Sequence, residues 1–335
     1  MKTLSGIILL ALLGILMNPS MAQKIENEKF IARITDINKT DAGIIENHGI
    51  RLMWHDRLPE AQAVITEAQV NWLIKNGYEV TVLGQAGESV DPEYHSYEEL
   101  LVYIDSLRSL YPEIMSVDTL GYSHVRQLPI PMVKISDNAA SDEDEPVIWY
   151  DGMHHAREPV GLEACLKIMD HLLMNYNSDP QVKKWVDNAE IYIVPCMNPD
   201  GWKYVIDSAL NYDWWRKNLH DNNGNGIFDP GMDGTDLNRN YNYAWEYGDT
   251  VMESETYQGP FPFSEAETSA KRDFMLSEKP VVSITYHSWG EYVGFVQYLG
   301  NEYAPDFPVM YTITDEVASL IPKLNGGHYA TGAID

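Results

Sequence analysis

The sequence has 335 residues, which is enough for one large domain and one small one. Aspartate and glutamate (50) outnumber lysine and arginine (23), so the formal net charge is −27 at pH 7. Nucleic acids and anionic membrane surfaces are bound by basic patches, and the excess of acid argues against either partner. The acidic residues are spread along the chain, as is typical of a solvated surface.

The first 22 residues have the pattern of a secretory signal peptide. A basic start precedes an apolar run from Gly6 to Met17, and small residues follow at 20–22. That run is too short to cross a bilayer. We therefore expect the mature chain to be extracytoplasmic, either secreted or periplasmic. Its two cysteines, Cys165 and Cys196, are interpreted as buried thiols, with one disulfide as the alternative.

Residues 23–90 are predicted to form a small α+β domain with an antiparallel sheet. Its predicted elements are a strand, a second strand, a helix and a third strand: Phe30–Ile34, Ile50–Trp54, Thr66–Asn76 and Glu79–Leu83. Residues 84–94 are polar and rich in glycine and acid, and are interpreted as a linker.

Residues 91–335 are predicted to form a larger domain in which strands alternate with helices. The predicted helices are Tyr97–Tyr111 and Val160–Asn175, and the predicted strands are Val133–Ile135, Val147–Tyr150 and Ile191–Val194. The apolar runs are nearly continuous, as in strands buried on both faces. This alternation predicts a mixed, mostly parallel central sheet flanked by helices.

A candidate metal motif, Asp151–Pro159, follows the strand Val147–Tyr150 and precedes a helix. Open α/β sheets place their sites at the carboxyl ends of strands. His155 and Glu158 are three residues apart, so both side chains can converge on one ion. An imidazole with a carboxylate suits zinc with a coordination position left for water.

Four further motifs follow this one along the chain. The five are H-A-R-E, N-P-D-G, W-R-K, D-L-N-R-N and Y-H-S, at His155–Glu158, Asn198–Gly201, Trp215–Lys217, Asp236–Asn240 and Tyr286–Ser288. Through them the chain from Tyr94 onward resembles the funnelin zinc metallocarboxypeptidases (peptidase family M14), such as carboxypeptidases A and B and carboxypeptidase T. The resemblance implies a zinc-carboxypeptidase-like α/β fold for residues 91–335 and a pro-segment at 23–90.

The resemblance also implies a set of metal ligands. His155, Glu158 and His287 would hold one zinc ion per chain. Asp236 would accept a hydrogen bond from the ring of His155 and so orient it. The alternative for Asp236 is a turn residue in a loop rich in glycine and aspartate.

Substrate-binding residues follow from the same match. Arg216 would stabilise the oxyanion of the tetrahedral intermediate, and Arg157 would contact the substrate backbone. Asn238 and Arg239 would receive the terminal carboxylate, which suits the planar fork of arginine. We therefore expect a zinc-dependent metallocarboxypeptidase, synthesised as a zymogen, monomeric, and acting on peptides or proteins with a free C-terminus.

The end of the chain resembles the part of the family that covers the substrate. Either His328 or Tyr329 takes the place of the family's substrate-capping tyrosine. The specificity position is either Ile334, which favours an apolar C-terminal residue, or Asp335, which favours a basic one. The family's general-base glutamate lies on a strand that would follow Asp335. We therefore expect a catalytic domain that is incomplete at its C-terminus and inactive in that form.

A second candidate metal site lies in the loop from residue 221 to residue 233. Oxygen-bearing side chains recur there as in the start of a calcium loop, at Asp221, Asn223, Asn225, Asp229 and Asp233. Met232 occupies the twelfth position, where a calcium loop carries glutamate. The alternative is an ordinary loop rich in asparagine and glycine.

Two other functions are alternatives to carboxypeptidase activity. One is a related amidase that acts on peptidoglycan-stem or other peptides, although Asn238 and Arg239 favour a substrate with a free carboxylate. The other is a non-catalytic zinc- or peptide-binding module.

Overall fold

The structure is a computed structural model that describes residues 29–37, 41, 44–45, 48, 50, 53–54, 61–85, 94–207, 214–288, 290–296, 304–323 and 326–334. The predicted signal peptide and most of the predicted linker lie outside the described residues. The chain divides into two compact units, Met1–Ser96 with Lys203–Trp214, and Tyr97–Trp202 with Trp215–Asp335.

The first unit contains an antiparallel sheet in the order β2-β3-β1-β4 and the helix α1. The elements are β1 (Lys29–Thr35), β2 (Met53–Trp54), β3 (Ala61–Thr66), α1 (Glu67–Lys75) and β4 (Glu79–Gln85). Thr66 and Gln69 form a capping box that fixes the start of α1. Leu73 of α1 packs with Ile34 and Ile65 in the core of this unit. The predicted antiparallel α+β arrangement is confirmed.

The second unit contains a five-stranded mixed sheet in the order β5-β6-β8-β7-β9. Its strands are β5 (Met115–Tyr122), β6 (Pro129–Ile135), β7 (Val147–Gly152), β8 (Glu190–Val194) and β9 (Val282–Tyr286). β7 pairs in parallel with both β8 and β9, whereas β6 pairs antiparallel with β5 and β8. Because β7 and β9 run in parallel, their carboxyl ends meet at one edge of the sheet.

Six further helices are described, and β10 (Tyr292–Val296) and β11 (Ala330–Ile334) form a separate parallel pair. The helices are α2 (Tyr97–Leu110), α3 (Val160–Asn175), α4 (Pro180–Val186), α5 (Pro199–Asp207), α6 (Ala266–Glu278) and α7 (Phe307–Leu320). Of these, α5 begins in the second unit and ends among residues of the first. Trp149 of β7 is fully buried in a core cluster with Ile130, Val194 and Met197. The predicted α/β fold with a helix-flanked mixed sheet is confirmed.

Cys165 and Cys196 are both buried, free thiols. Within the described ranges, no helix has both the length and the apolar character needed to cross a bilayer.

Candidate metal centre

The turn after β7 positions the first two predicted zinc ligands. β7 ends at Gly152, and Met153 adopts a left-handed backbone conformation (φ 60°) before the chain enters α3. A Cβ at Gly152 would lie 2.4 Å from the carbonyl oxygen of Gly161, so glycine allows the start of α3 to approach the strand. This close approach holds His155 and Glu158 at the carboxyl end of β7.

The three predicted ligands come together. His155 Nδ1 lies 2.8 Å from Glu158 Oε1, and His287 Nδ1 lies 3.0 Å from Glu158 Oε2. The two Nδ1 atoms are 3.1 Å apart. His287 follows the end of β9, the neighbour of β7, and the amide of Ser288 donates to Glu158 Oε2 at 3.0 Å.

The protonation states of these groups follow from their contacts. Burial alone would raise the pKa of Glu158, but hydrogen bonds with His155 and His287 outweigh it and lower that pKa far below its usual value. Burial alone would lower the pKa of His155. Hydrogen bonds with Asp236 and Glu158 outweigh burial, so the pKa is raised above its usual value. The site therefore contains an ionised carboxylate between two imidazoles.

The donor set fits zinc. In a tetrahedral site with bonds of about 2.0–2.1 Å, two ligand atoms lie about 3.3–3.4 Å apart. The observed separations of 2.8–3.1 Å are close to this value. Two ring nitrogens facing each other at 3.1 Å cannot both present lone pairs without repulsion, which either a proton on one ring or a cation between the two rings removes.

Asp236 lies behind this site. Its Oδ1 is 3.2 Å from His155 Nε2 and also accepts a hydrogen bond from the amide of Asn238 at 2.9 Å. Its Oδ2 accepts from Arg216 Nε at 2.9 Å, with Nη2 at 2.8 Å. Both interpretations of Asp236 are therefore compatible with the geometry, because one carboxylate starts the turn at 237–239 and also faces the His155 ring.

The N-P-D-G motif joins the metal turn to the W-R-K segment, a role that the sequence did not reveal. Asn198 is buried, and its Nδ2 donates to the carbonyls of His154 (3.0 Å) and Lys217 (3.2 Å). The amide of Ala156 donates to the carbonyl of Arg216 at 3.1 Å. These bonds tie the segment carrying Arg216 to the turn carrying His155.

A second buried network beneath the turn was also not predicted. Asp151 is fully buried and forms an ion pair with Lys271 of α6. His154 lies between them and Tyr241, whose hydroxyl is 2.7 Å from His154 Nε2. Burial raises the pKa of Asp151, but the charges of Lys271 and His154 outweigh it and lower that pKa to about 2.

The predicted substrate-binding arginines differ in their surroundings. Arg157 pairs with both carboxylate oxygens of Glu255, at 3.2 and 3.1 Å. Arg239 is exposed, and its Nη1 donates to the carbonyl of Asn238 at 3.1 Å. The partly buried Arg216 brings Nη1 to 3.8 Å from Glu158 Oε1.

The predicted specificity residues belong to the region of the small sheet. His328 is exposed and bridges to Pro322, and the amide of Tyr329 donates to the carbonyl of Ile321 at 3.0 Å. Ile334 ends β11 and is half exposed. Asp335 lies outside the described residues.

In the candidate calcium loop, the acidic side chains bond to the loop's own backbone. Asp221 accepts from the amides of Gly224, Asn225 and Gly226, and Asp233 accepts from those of Asn222 and Asp229. Asn223 and Asn225 likewise accept from amides two residues onward. Among the described residues, the groups close enough to share an ion do not include this loop's carboxylates.

Comparison with known proteins extends these observations. The sequence profile of the zinc carboxypeptidase family, Peptidase_M14, matches residues 100–335. Carboxypeptidase B of Astacus astacus is 29% identical over 245 residues, which are 72% of this chain and 76% of that protein. Carboxypeptidase A2 of Rattus norvegicus is 30% identical over 244 residues, again 72% of this chain but 55% of the rat protein. The chain thus spans about half to three quarters of these relatives.

Two solved structures share the fold. Carboxypeptidase A from Helicoverpa armigera has 21% identity and a TM-score of 0.63, covering 91% of this chain and 81% of its own. Thrombin-activatable fibrinolysis inhibitor (TAFI) has 20% identity and a TM-score of 0.64, covering 91% and 83%. Since the family profile covers well over half of the sequence, the chain belongs to the zinc carboxypeptidases of peptidase family M14, a family of metallopeptidases, as the five motifs predicted.

Proposed function

We propose that the protein is a zinc-dependent carboxypeptidase that hydrolyses the C-terminal peptide bond of peptides or proteins. The observation that carries this proposal is the convergence of His155, Glu158 and His287, with ligand atoms 2.8–3.1 Å apart. Their proposed role is to hold one zinc ion. Zinc in such a site polarises a carbonyl group and lowers the pKa of its bound water towards ~7.

The chain's own residues prepare the site for this chemistry. Asp236 faces His155 Nε2; with zinc bound, the proton on Nε2 would be shared with Asp236, and Nδ1 would be the ligand atom. The same carboxylate holds the guanidinium of Arg216 beside Glu158. We infer that Arg216 donates to the oxyanion that develops on the scissile carbonyl.

Recognition of the terminal carboxylate is assigned to Asn238 and Arg239. An exposed guanidinium can bind a carboxylate through two parallel hydrogen bonds, and Arg239 lies three residues from Asp236. Arg157 would contact the substrate backbone, and its ion pair with Glu255 would either break or persist when substrate binds. His328 or Tyr329 would cap the substrate, and Ile334 or Asp335 would select its last side chain.

The decisive experiment compares zinc content and hydrolysis. The His155→Ala, Glu158→Ala, His287→Ala variant should bind about one equivalent of zinc less than the parent protein. His171→Ala, which removes an exposed histidine of α3, should retain that equivalent. An unchanged zinc content in the triple variant would refute the assignment of the ligands.

Substrate class is tested with paired peptides that differ only in a C-terminal carboxylate or carboxamide. The carboxylate form should be hydrolysed faster, and Arg239→Gln should raise KM for it more than it lowers kcat. Equal rates for the two forms would favour the related amidase. Peptides ending in arginine or in leucine then separate Asp335 from Ile334 as the specificity residue.

We further propose that the protein is a monomeric, secreted or periplasmic zymogen, with a signal peptide at 1–22 and a pro-segment at 23–90. The structural matches cover 91% of the chain, more than residues 100–335 alone, and one of the matched proteins is thrombin-activatable by name. Limited proteolysis should cut first within 84–94 and raise activity. Equal cutting throughout the chain would contradict this domain division.

Calcium binding by the loop at 221–233 remains a separate hypothesis. The carboxylate oxygens of Asp221 and Asp233 accept hydrogen bonds from backbone amides, as they would in an ordinary loop that binds no ion. If the loop binds calcium, millimolar calcium should raise the melting temperature of the parent but not of Asp221→Asn. No rise in either protein would rule out the calcium hypothesis.

A further inference from the structure

A second cluster of metal-ligating side chains lies in the catalytic unit. His124 follows the end of β5, His220 lies three residues after the W-R-K motif, and Glu265 immediately precedes α6. One ligand atom from each lies within 4.8 Å of the other two. Three segments that are distant in the sequence therefore meet at one carboxylate.

The two imidazoles of this cluster face the same carboxylate. The rings are stacked, with centroids 4.1 Å apart and planes inclined by 22°. His220 Nδ1 lies 2.9 Å from both oxygens of Glu265, and His124 Nδ1 lies 3.5 Å from Oε2. Although it precedes α6, the Glu265 side chain does not cap the helix and is directed at the histidines instead.

His124 Nδ1 is a buried polar atom for which the described residues provide no hydrogen-bond partner. An imidazole with an unused nitrogen beside a carboxylate is the arrangement that a metal ion completes.

The surroundings of the cluster are acidic. Glu265 is fully buried; it accepts hydrogen bonds from Asn218 Nδ2 and Ser264 Oγ, each at 2.7 Å, and His220 Nδ1 lies 2.9 Å away. Glu267 is also fully buried, with one carboxylate oxygen lacking a partner among the described residues. A divalent cation at this cluster would offset the negative charge of the buried Glu265 carboxylate.

We propose that His124, His220 and Glu265 bind a divalent transition-metal ion of the zinc type at a second site. Two imidazoles and one carboxylate suit zinc, cobalt, nickel or copper, whereas calcium and magnesium prefer oxygen ligands. The histidine side chains are 31% and 22% exposed, so an ion can enter from solvent.

The proposed ion would stabilise the segment that carries Arg216. His220 lies four residues after Arg216, and Asn218 between them donates to Glu265 Oε2 at 2.7 Å. A metal at this site would join that segment to the loop after β5 and to the start of α6. Its role would be structural, and it is independent of the zinc proposed at His155, Glu158 and His287.

Zinc content after equilibrium dialysis tests the proposal. The parent should bind about two equivalents, and the His155→Ala, Glu158→Ala, His287→Ala variant about one. Adding His124→Phe to that variant retains a flat ring against His220 but removes the ligand, and should abolish the remaining binding. Adding His171→Ala instead should leave it unchanged.

A second measurement distinguishes the loss of a metal ligand from misfolding of the variant. Cobalt(II) added to the triple variant should produce visible d–d absorption and raise the melting temperature by several degrees, and magnesium should do neither. Glu265→Gln, which is close to isosteric, should remove both effects while the metal-free variant keeps its circular dichroism spectrum.

The outcomes separate this site from the first one. The proposal is overturned if the triple variant binds no metal, or if its remaining metal survives both His124→Phe and Glu265→Gln. If the triple variant binds as much metal as the parent and His124→Phe removes it, the second site stands and the zinc assignment under the proposed function fails.

Discussion

Replacing Asp236 with asparagine tests how one buried carboxylate supports the metal centre. Asp236 contacts His155 Nε2 at 3.2 Å and Arg216 Nε at 2.9 Å, and it is fully buried. Asparagine has nearly the same size, so no cavity forms. It removes the negative charge that orients the ring, and its amide group would place N–H donors against those of either neighbour.

The expected loss has two parts. Carboxylates that hold the second nitrogen of a ligating histidine contribute about 10–100-fold to metal affinity, or about 1.4–2.7 kcal/mol. Burial raises the pKa of Asp236, but its hydrogen bond to His155 and the charges of His155 and Arg216 lower it from 3.8 to about 2. That lowering corresponds to about 2–3 kcal/mol of folding free energy, which Asp236→Asn should forfeit in the metal-free protein.

Competition with a chromophoric chelator measures the first part, and urea unfolding of the metal-free protein measures the second. Asp233→Asn is the matched control, because Asp233 is equally buried but accepts hydrogen bonds from backbone amides, at 3.1 and 2.7 Å, and does not face His155. Zinc affinity should fall in Asp236→Asn and remain within about twofold in Asp233→Asn. Equal affinities in parent and Asp236→Asn would show that the carboxylate does not support His155.

Three further predictions concern the turn that carries the ligands. Lys271→Met should destabilise the protein by about 3–5 kcal/mol in urea unfolding, because Asp151 is left charged and buried, and adding Asp151→Asn should recover most of that loss. The pKa of Asp151 is lowered to about 2, so its contribution to the free energy of unfolding should be complete above pH ~4 and lost between pH ~4 and ~2. Asp151→Asn should lack this pH dependence. Gly152→Ala should lower the melting temperature by several degrees and weaken zinc binding, because its Cβ would lie 2.4 Å from the Gly161 carbonyl, whereas Gly290→Ala meets its nearest atom at 3.8 Å and should change neither.

Local spacing made the first metal centre predictable. His155 and Glu158 lie in one turn after a strand, so their convergence depends on few residues. The third ligand, His287, lies 129 residues after Glu158 and was assigned only through the resemblance. The parallel pairing of β7 with β9 then supplies the physical reason why the two segments meet.

Tertiary pairing accounts for two of the strands that the sequence analysis missed. β3 and β5 were not predicted, although both pair antiparallel with predicted strands. β5 is half exposed, and its residues Met115–Tyr122 lack a continuous apolar run because only one edge of the strand is paired. In such a strand the partner, more than the local pattern, determines the conformation.

The cluster of His124, His220 and Glu265 could not be predicted from the spacing of residues in the sequence. These residues lie 96 and 45 positions apart and belong to no common motif, so no local pattern in the sequence brings them together. Only the fold places the end of β5, the W-R-K segment and the start of α6 around one carboxylate. The W-R-K segment therefore links the two centres, because Arg216 bonds to Asp236 behind the first and His220 faces Glu265 in the second. If a metal fills the second centre, its effect on the first should appear at Arg216, as a change in transition-state stabilisation without a change in zinc affinity.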